Sequence, residues 1–228
     1  SDLEEFGIQD GWRWSPDGEH IAFFKLDESE TREFALTNYT TRYPEYKRFR
    51  YPKAGEQNSE IKIGVIDMSD VDTVKEGQPQ AIQYFETKTW NDGGMKHEYL
   101  SRMAWTPKID GRHRVWMFRM NRDQNRLDLL YGDPKTGTVQ RVLREKNDTY
   151  IDVEDGKISF LDDGEHFVFL SERTGYNHAH LYRNDGTELG PITQGNWEVT
   201  NFHGIDEESL TAYFTATRDT STERHLYS

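Results

Sequence analysis

Apolar and aromatic residues arrive along this chain in short alternating runs, separated by tight polar turns. "WRWSPDGEHIAFF" (Trp12 to Phe24) sets the pattern: an aromatic lead-in, the break Ser15-Pro16-Asp17-Gly18, then an apolar run. "ISFLDDGEHFVFL" (Ile158 to Leu170) repeats it with Asp163-Gly164 and the same Gly-Glu-His. "MAWTPKIDGRHRVWMF" (Met103 to Phe118) is a looser copy that keeps Trp105, Pro107 and Asp110-Gly111. In "FHGIDEESLTAYFTA" (Phe202 to Ala216), Glu207-Glu208-Ser209 stands where the turn should be. Each unit continues into a strand containing Leu-Tyr, as in "LDLLYGDPKTG", "AHLYRNDGTE" and the terminal "HLYS".

Asp-Gly suits such turns because glycine accepts positive φ and aspartate hydrogen-bonds its own backbone. The residues that follow, Ile21 and Phe23 or Phe167 and Phe169, alternate as half-buried strands do. Units of roughly 45–55 residues with about four short strands each mark propeller blades, which stack because one blade cannot bury both its faces. The competing reading is an ordinary sandwich with coincidental Asp-Gly turns. The expected fold is all-β: a partial β-propeller of about four blades of four-stranded antiparallel sheet, over residues 1–228. The blades fall at about 8–83, 99–146, 150–195 and 197–228. The last unit stops at Leu226-Tyr227, mid-repeat, so the chain reads as a slice of a larger propeller whose open edges favour dimerisation. The polar insertion Glu28 to Glu60, with Pro44, Pro52 and Gly55, reads as a loop or hairpin extension. A second insertion, Tyr84 to Tyr99, links the first two units.

Composition narrows the classes. Aromatic residues make up 13% of the chain, which favours folded β-structure over disorder. Lys and Arg number 28 against 41 Asp and Glu, a formal charge of −13 that argues against a nucleic-acid partner. The absence of cysteine removes disulfides, thiolate metal sites and a cysteine nucleophile. No apolar stretch approaches the roughly 20 residues of a membrane span. There is no Gly-x-Ser-x-Gly elbow, no His-Glu-x-x-His zinc motif and no phosphate-cradling loop, so no cofactor and no catalytic residue is expected in this chain. His178 and His180, two apart on one strand, form a conceivable metal pair, though hydrogen-bonded or exposed structural histidines fit their isolation better. "DVDTVKEG" and "IDEES" lack calcium-loop spacing and read as solvated turns.

Three stretches carry a resemblance. "EEFGIQDGWRWSPDGEHIAFF", "YPKAGEQNSEIKIGVID" and "SERTGYNHAHLYRNDG…ITQGNWEVTNF" resemble, in order, consecutive parts of the dipeptidyl peptidase IV family of the prolyl oligopeptidase clan, its bacterial members above all. The resemblance implies an eight-bladed propeller followed by an α/β-hydrolase domain that is absent here and holds the Ser, Asp and His of the triad. It implies removal of X-Pro or X-Ala dipeptides from peptides with a free N-terminus and a periplasmic or secreted location, while the homo-oligomer is expected from the open edges alone. Glu4 and Glu5 match the family's acidic pair that grips the substrate's α-ammonium group, although Asp2-Leu3 stands where the family has Tyr-Glu. Two adjacent carboxylates suit one ammonium ion, and fixing it sets the second peptide bond over the nucleophile.

Arg48, Arg50 and Lys53 read either as a loop facing the hydrolase domain or as a solvated basic strand. Trp90, Trp116 and Trp197 offer an apolar surface, with blade-to-blade packing the better reading for the last two. A second functional class stays open: a TolB-like propeller that binds partner proteins and has no peptidase domain.

Overall fold

The structure, a computed structural model, describes residues 6–69, 81–87 and 98–228. Among these residues there are strands and turns but no helix. The first sheet runs β1 (Trp12–Trp14), β2 (His20–Asp27), β5 (Glu60–Asp67) and β6 (Ile82–Tyr84), in spatial order β1-β2-β5-β6. Between β2 and β5 the chain leaves as a separate antiparallel hairpin, β3 (Glu33–Asn38) and β4 (Glu45–Arg50). The insertion is therefore a hairpin extension.

The second sheet is β7 (Glu98–Trp105), β8 (Val115–Asn121), β9 (Arg126–Gly132) and β10 (Val139–Lys146). The third is β11 (Ile158–Phe160), β12 (His166–Ser171), β13 (His178–Arg183) and β14 (Glu188–Pro191). The fourth has three strands, β15 (Val199–Asp206), β16 (Thr211–Ala216) and β17 (His225–Tyr227). All pairings are antiparallel between strands adjacent in the chain, the hairpin aside. "DVDTVKEG", Trp90 and most of the Tyr84 to Tyr99 connector lie outside the described residues.

The turns form for local reasons. Asp110 and Gly111 both take positive φ (52° and 76°), the two-residue turn whose twist matches the flanking strands. Asp163 accepts from the amides of Glu165 and His166 beside Gly164. The unit without Asp-Gly builds its turn on Asp206, which accepts from Glu208, Ser209 and the Ser209 hydroxyl, and Leu210 takes the left-handed conformation at φ 52°.

Three apolar layers show how the sheets stack. Ala22, Ile63 and Val65 of the first sheet meet Leu100, Met103, Val115, Met117 and Leu130 of the second. Phe118, Met120, Leu127 and Leu129 of the second meet Phe167, Phe169 and Tyr182 of the third. Val168, Leu170 and Ala179 of the third meet Val199, Phe214 and Ala216 of the fourth. Neighbours along one strand, Met117 and Phe118 or Phe167 and Val168, thus enter opposite layers. Consecutive four-stranded sheets packed face to face in chain order are the architecture of propeller blades.

This corrects the half-buried reading of the interior strands. In β12 the residues from Phe167 to Ser171 are all buried, because a blade covers each face. In β2 the wholly buried residue is Ala22, while Ile21 and Phe23 lie half-buried on the other face. Polar ties cross between blades as well. Tyr131 donates to Asn184 at 3.0 Å, and Asn184 donates to the Gly164 carbonyl at 2.9 Å. Burial pushes the Tyr131 phenol well up, so it remains a neutral donor. Asp128, fully buried, takes Arg119 at 2.5 Å and Arg144 at 2.5 and 2.8 Å, a closed charge network inside the second blade.

Candidate functional site

Glu4 and Glu5 lie outside the described residues. What the structure describes is Phe6, the residue that follows them, and its surroundings. Phe6 is buried at 7% exposure and meets the edge of Tyr99, ring centroids 5.2 Å apart. Its carbonyl accepts from Arg102 Nη1 at 2.6 Å. The same guanidinium donates to the Ser101 carbonyl at 2.8 Å, to the Val153 carbonyl at 3.2 Å and to the Asp155 carboxylate at 2.8 Å. A planar fork with fixed donors is suited to such a hub. Arg102 thus joins Phe6, the edge strand β7 of the second blade and the connector into the third.

The "YPKAGEQNS" stretch closes on the same region. Asn58 donates to the Tyr99 hydroxyl at 2.9 Å, and Arg122 donates to the Glu56 carbonyl at 3.1 Å. Glu56 in turn accepts from the Lys53 amide at 3.0 Å and pairs with Arg32 at 3.3 Å. Phe6, Tyr99 and Asn58 therefore form one continuous set of contacts.

Beside Arg102 a cleft of about 300 Å³ opens between the third and fourth blades. Asp152, Glu154, Asp155, Glu172 and Glu198 line it, against the cations Lys157 and Arg224. Lys157 sits 4.0 Å from Glu145 and 5.3 Å from the centre of the Phe169 ring. Chemically, this surface attracts a cation and offers carboxylates as acceptors.

Other candidates resolve as structure. His178 shares hydrogen bonds at 3.0 Å with the Thr193 hydroxyl and the Gly195 carbonyl, and packs edge-on against Trp197. His180 contacts Arg173 at 2.5 Å and Glu188 at 3.2 Å. Each histidine is buried and hydrogen-bonded to different partners, so the structural reading of the pair stands. Trp116 and Trp197 pack against the layers between blades. Every residue of β4 is exposed, including Arg48; Arg50 reaches back to the Ser29 carbonyl at 3.0 Å, and Lys53 lies over Phe34. Arg102 and Asp155 escaped the sequence reading because Arg102 meets Phe6 across 96 positions and Asp155 across 53, with no local motif.

Stacked antiparallel blades, with the beginning of the chain tied onto the second and third of them, define this as a β-propeller region. Its sequence matches the family described as "Dipeptidyl peptidase IV (DPP IV) N-terminal region" over residues 3–228. The chain belongs to that family. Among solved structures it is similar to dipeptidyl peptidase 4 of Porphyromonas gingivalis, with a TM-score of 0.80 and 29% identity, covering 99% of this chain and 30% of that one. A putative dipeptidyl aminopeptidase IV of Bacteroides ovatus gives a TM-score of 0.73 and 27% identity, covering 92% and 30%. A probable dipeptidyl peptidase 4 of Aspergillus fumigatus is 28% identical over 94% of this chain and 28% of its own length. The inactive dipeptidyl peptidase 10 of Rattus norvegicus is 27% identical, covering 94% and 26%. The chain thus spans less than a third of the relatives it matches.

Proposed function

We propose that this chain is the non-catalytic propeller part of a serine dipeptidyl peptidase that releases X-Pro or X-Ala dipeptides from free N-termini. The propeller gates substrate access, and Glu4 and Glu5 grip the α-ammonium group. An α/β-hydrolase domain beyond this chain performs acyl transfer with Ser, His and Asp. The observation that carries the reading is the family match through residues 3–228, which takes in the acid pair. Its physical support is Arg102, which pins the carbonyl of the residue following Glu5. The acidic cleft beside that anchor adds a field that attracts a cationic N-terminus.

Homo-oligomers belong to the same proposal, with hairpin β3–β4 as the contact. It presents Leu36, Tyr39, Tyr43 and Tyr46, each more than half exposed. A periplasmic or secreted location rests on the resemblance alone.

The second reading is a TolB-like propeller that binds partner proteins and has no peptidase domain, supported by the generic Trp-Ser-Pro-Asp-Gly type of repeat. One experiment separates the two. The full-length protein is offered Ala-Pro-anilide with a free amine and the same compound N-acetylated. Cleavage of the free form alone is expected, with Glu4→Ala and Glu5→Ala each lowering kcat/KM by about 100-fold, the loss of about 3 kcal/mol from a charge-assisted contact. Equal cleavage of both compounds removes the ammonium clamp, and cleavage of neither moves the assignment to the binding module.

A further inference from the structure

We propose that the first Asp-Gly turn carries a transition-metal site, built by Asp17, Glu19 and His20 of the first blade and completed by His113 of the second. Ligand atoms of Asp17, Glu19 and His20 all lie within 4.8 Å of one another. Around an ion with bonds near 2.1 Å, ligand atoms stand about 3–4 Å apart, so the set has to draw together, and His113, which is not among the atoms within 4.8 Å of one another, has to swing in to complete it. His113 lines the same cleft of about 290 Å³, which lies between the blades.

Each histidine is prepared differently. His113 Nδ1 lies 2.8 Å from the Thr106 carbonyl. A carbonyl only accepts, so Nδ1 carries the proton and Nε2 keeps its lone pair. That is the arrangement by which a second partner fixes the tautomer of a metal-binding histidine. For His20, neither ring nitrogen makes a hydrogen bond among the described residues, and its ring rests 5.9 Å from that of Trp105.

The repeat supplies an internal comparison. In the third blade the same Asp-Gly-Glu-His sequence closes on itself, with His166 Nδ1 2.6 Å from Asp163 Oδ2. In the first, Asp17 Oδ1 accepts the Glu19 amide at 3.1 Å, as Asp163 accepts that of Glu165, and adds the Ser15 hydroxyl at 2.5 Å, while no hydrogen bond joins Asp17 to the His20 ring among the described residues. That leaves His20 available to the cleft.

Mixed imidazole and carboxylate donors select the Zn²⁺ and Ni²⁺ class over Mg²⁺ or Ca²⁺. Lys108, Arg112, Arg114 and Lys135 share the cleft, with Arg112 3.8 Å from Asp133. Their charge opposes a dication and lowers the affinity below that of a buried structural zinc site. Binding there clips the first turn to the second blade.

The test uses the metal-stripped full-length protein titrated with ZnCl2 at pH 7.5 by calorimetry, with melting temperature as a second readout. The wild type is expected to bind one ion here and to melt higher with zinc. His20→Ala and His113→Ala should each weaken that binding at least tenfold and abolish the melting shift. Glu19→Gln, in an exposed turn, should weaken it severalfold without altering the metal-free melting temperature. Zinc isotherms of both histidine variants superimposed on the wild type overturn the proposal, as does the absence of saturable binding. Loss with His20→Ala but not with His113→Ala overturns the bridge between blades.

Discussion

His180 lies at 3% exposure with Arg173 and Glu188 against its Nδ1. Burial first, and the Arg173 charge second, hold its pKa below the ordinary 6.5. In the unfolded chain the imidazole regains that ordinary value and takes up a proton that the folded protein resists. Stability therefore falls as pH drops through about 6.5 and stops falling at the lower, folded pKa. Melting curves between pH 8 and 5 should show this decline, and His180→Gln should flatten it. A decline of the same slope in the variant would place the proton uptake elsewhere. At this scale the sequence was partly readable: two apart on one strand, His178 and His180 fit hydrogen-bonded or exposed structural histidines better than a metal pair. The partners of His178 were not readable, because Thr193 and Gly195 come from the connector into the next blade. Arg102 was invisible for the same reason, since its role is defined by the carbonyls of Phe6 and Val153 and the carboxylate of Asp155, all far from it in the chain.

Each blade is a set of short strands whose turns do two jobs, reversing the chain and touching the next blade. Gly18 and Gly186 both end Asp-Gly pairs at positive φ, 75° and 91°. A Cβ on Gly18 meets nothing within 4 Å, whereas one on Gly186 falls 1.9 Å from the Val142 carbonyl oxygen of β10. Gly18→Ala should cost only the conformational strain, about 1–2 kcal/mol. Gly186→Ala must also push the third blade off the second and should cost at least about 1 kcal/mol more. Urea unfolding of the two variants checks the difference; equal losses would mean that the blades separate there without cost. Turn position was legible from the Asp-Gly repeat, and the insertion as a loop or hairpin extension from its prolines and polar residues. Which turns act as spacers was not, because that depends on the backbone of another blade. The interior strands show the same limit: alternation in β12 was read as one buried and one solvated face, yet both faces are buried. A residue such as Val168 carries no mark of which layer it will enter.

At the scale of the whole molecule, charge and exposure are unevenly distributed. From Arg32 to Lys53 six cations accompany two carboxylates, in a chain of formal charge −13. The same stretch carries the exposed Leu36, Tyr39, Tyr43 and Tyr46, while Phe34, Phe49 and Tyr51 cluster at its base with ring centroids 5.9–6.2 Å apart. A two-stranded hairpin of six-residue strands is marginal in water on its own. A basic, aromatic arm on an acidic body therefore has a complementary surface in a second copy of the same protein. The proposed homo-oligomer then makes a specific prediction. Light scattering of the full-length protein should give a dimer mass, and Tyr39→Ser, Tyr43→Ser and Tyr46→Ser combined should move it toward the monomer. Raising salt from 0.05 to 0.5 M should weaken the wild-type dimer, as ion pairing at a solvent-accessible interface requires. Melting of the variant under metal-free conditions should change little, because none of the three tyrosines enters an apolar layer between blades. A dimer whose affinity is untouched by the triple substitution would place the contact on another surface, and a monomeric wild type would leave the arm for a different partner.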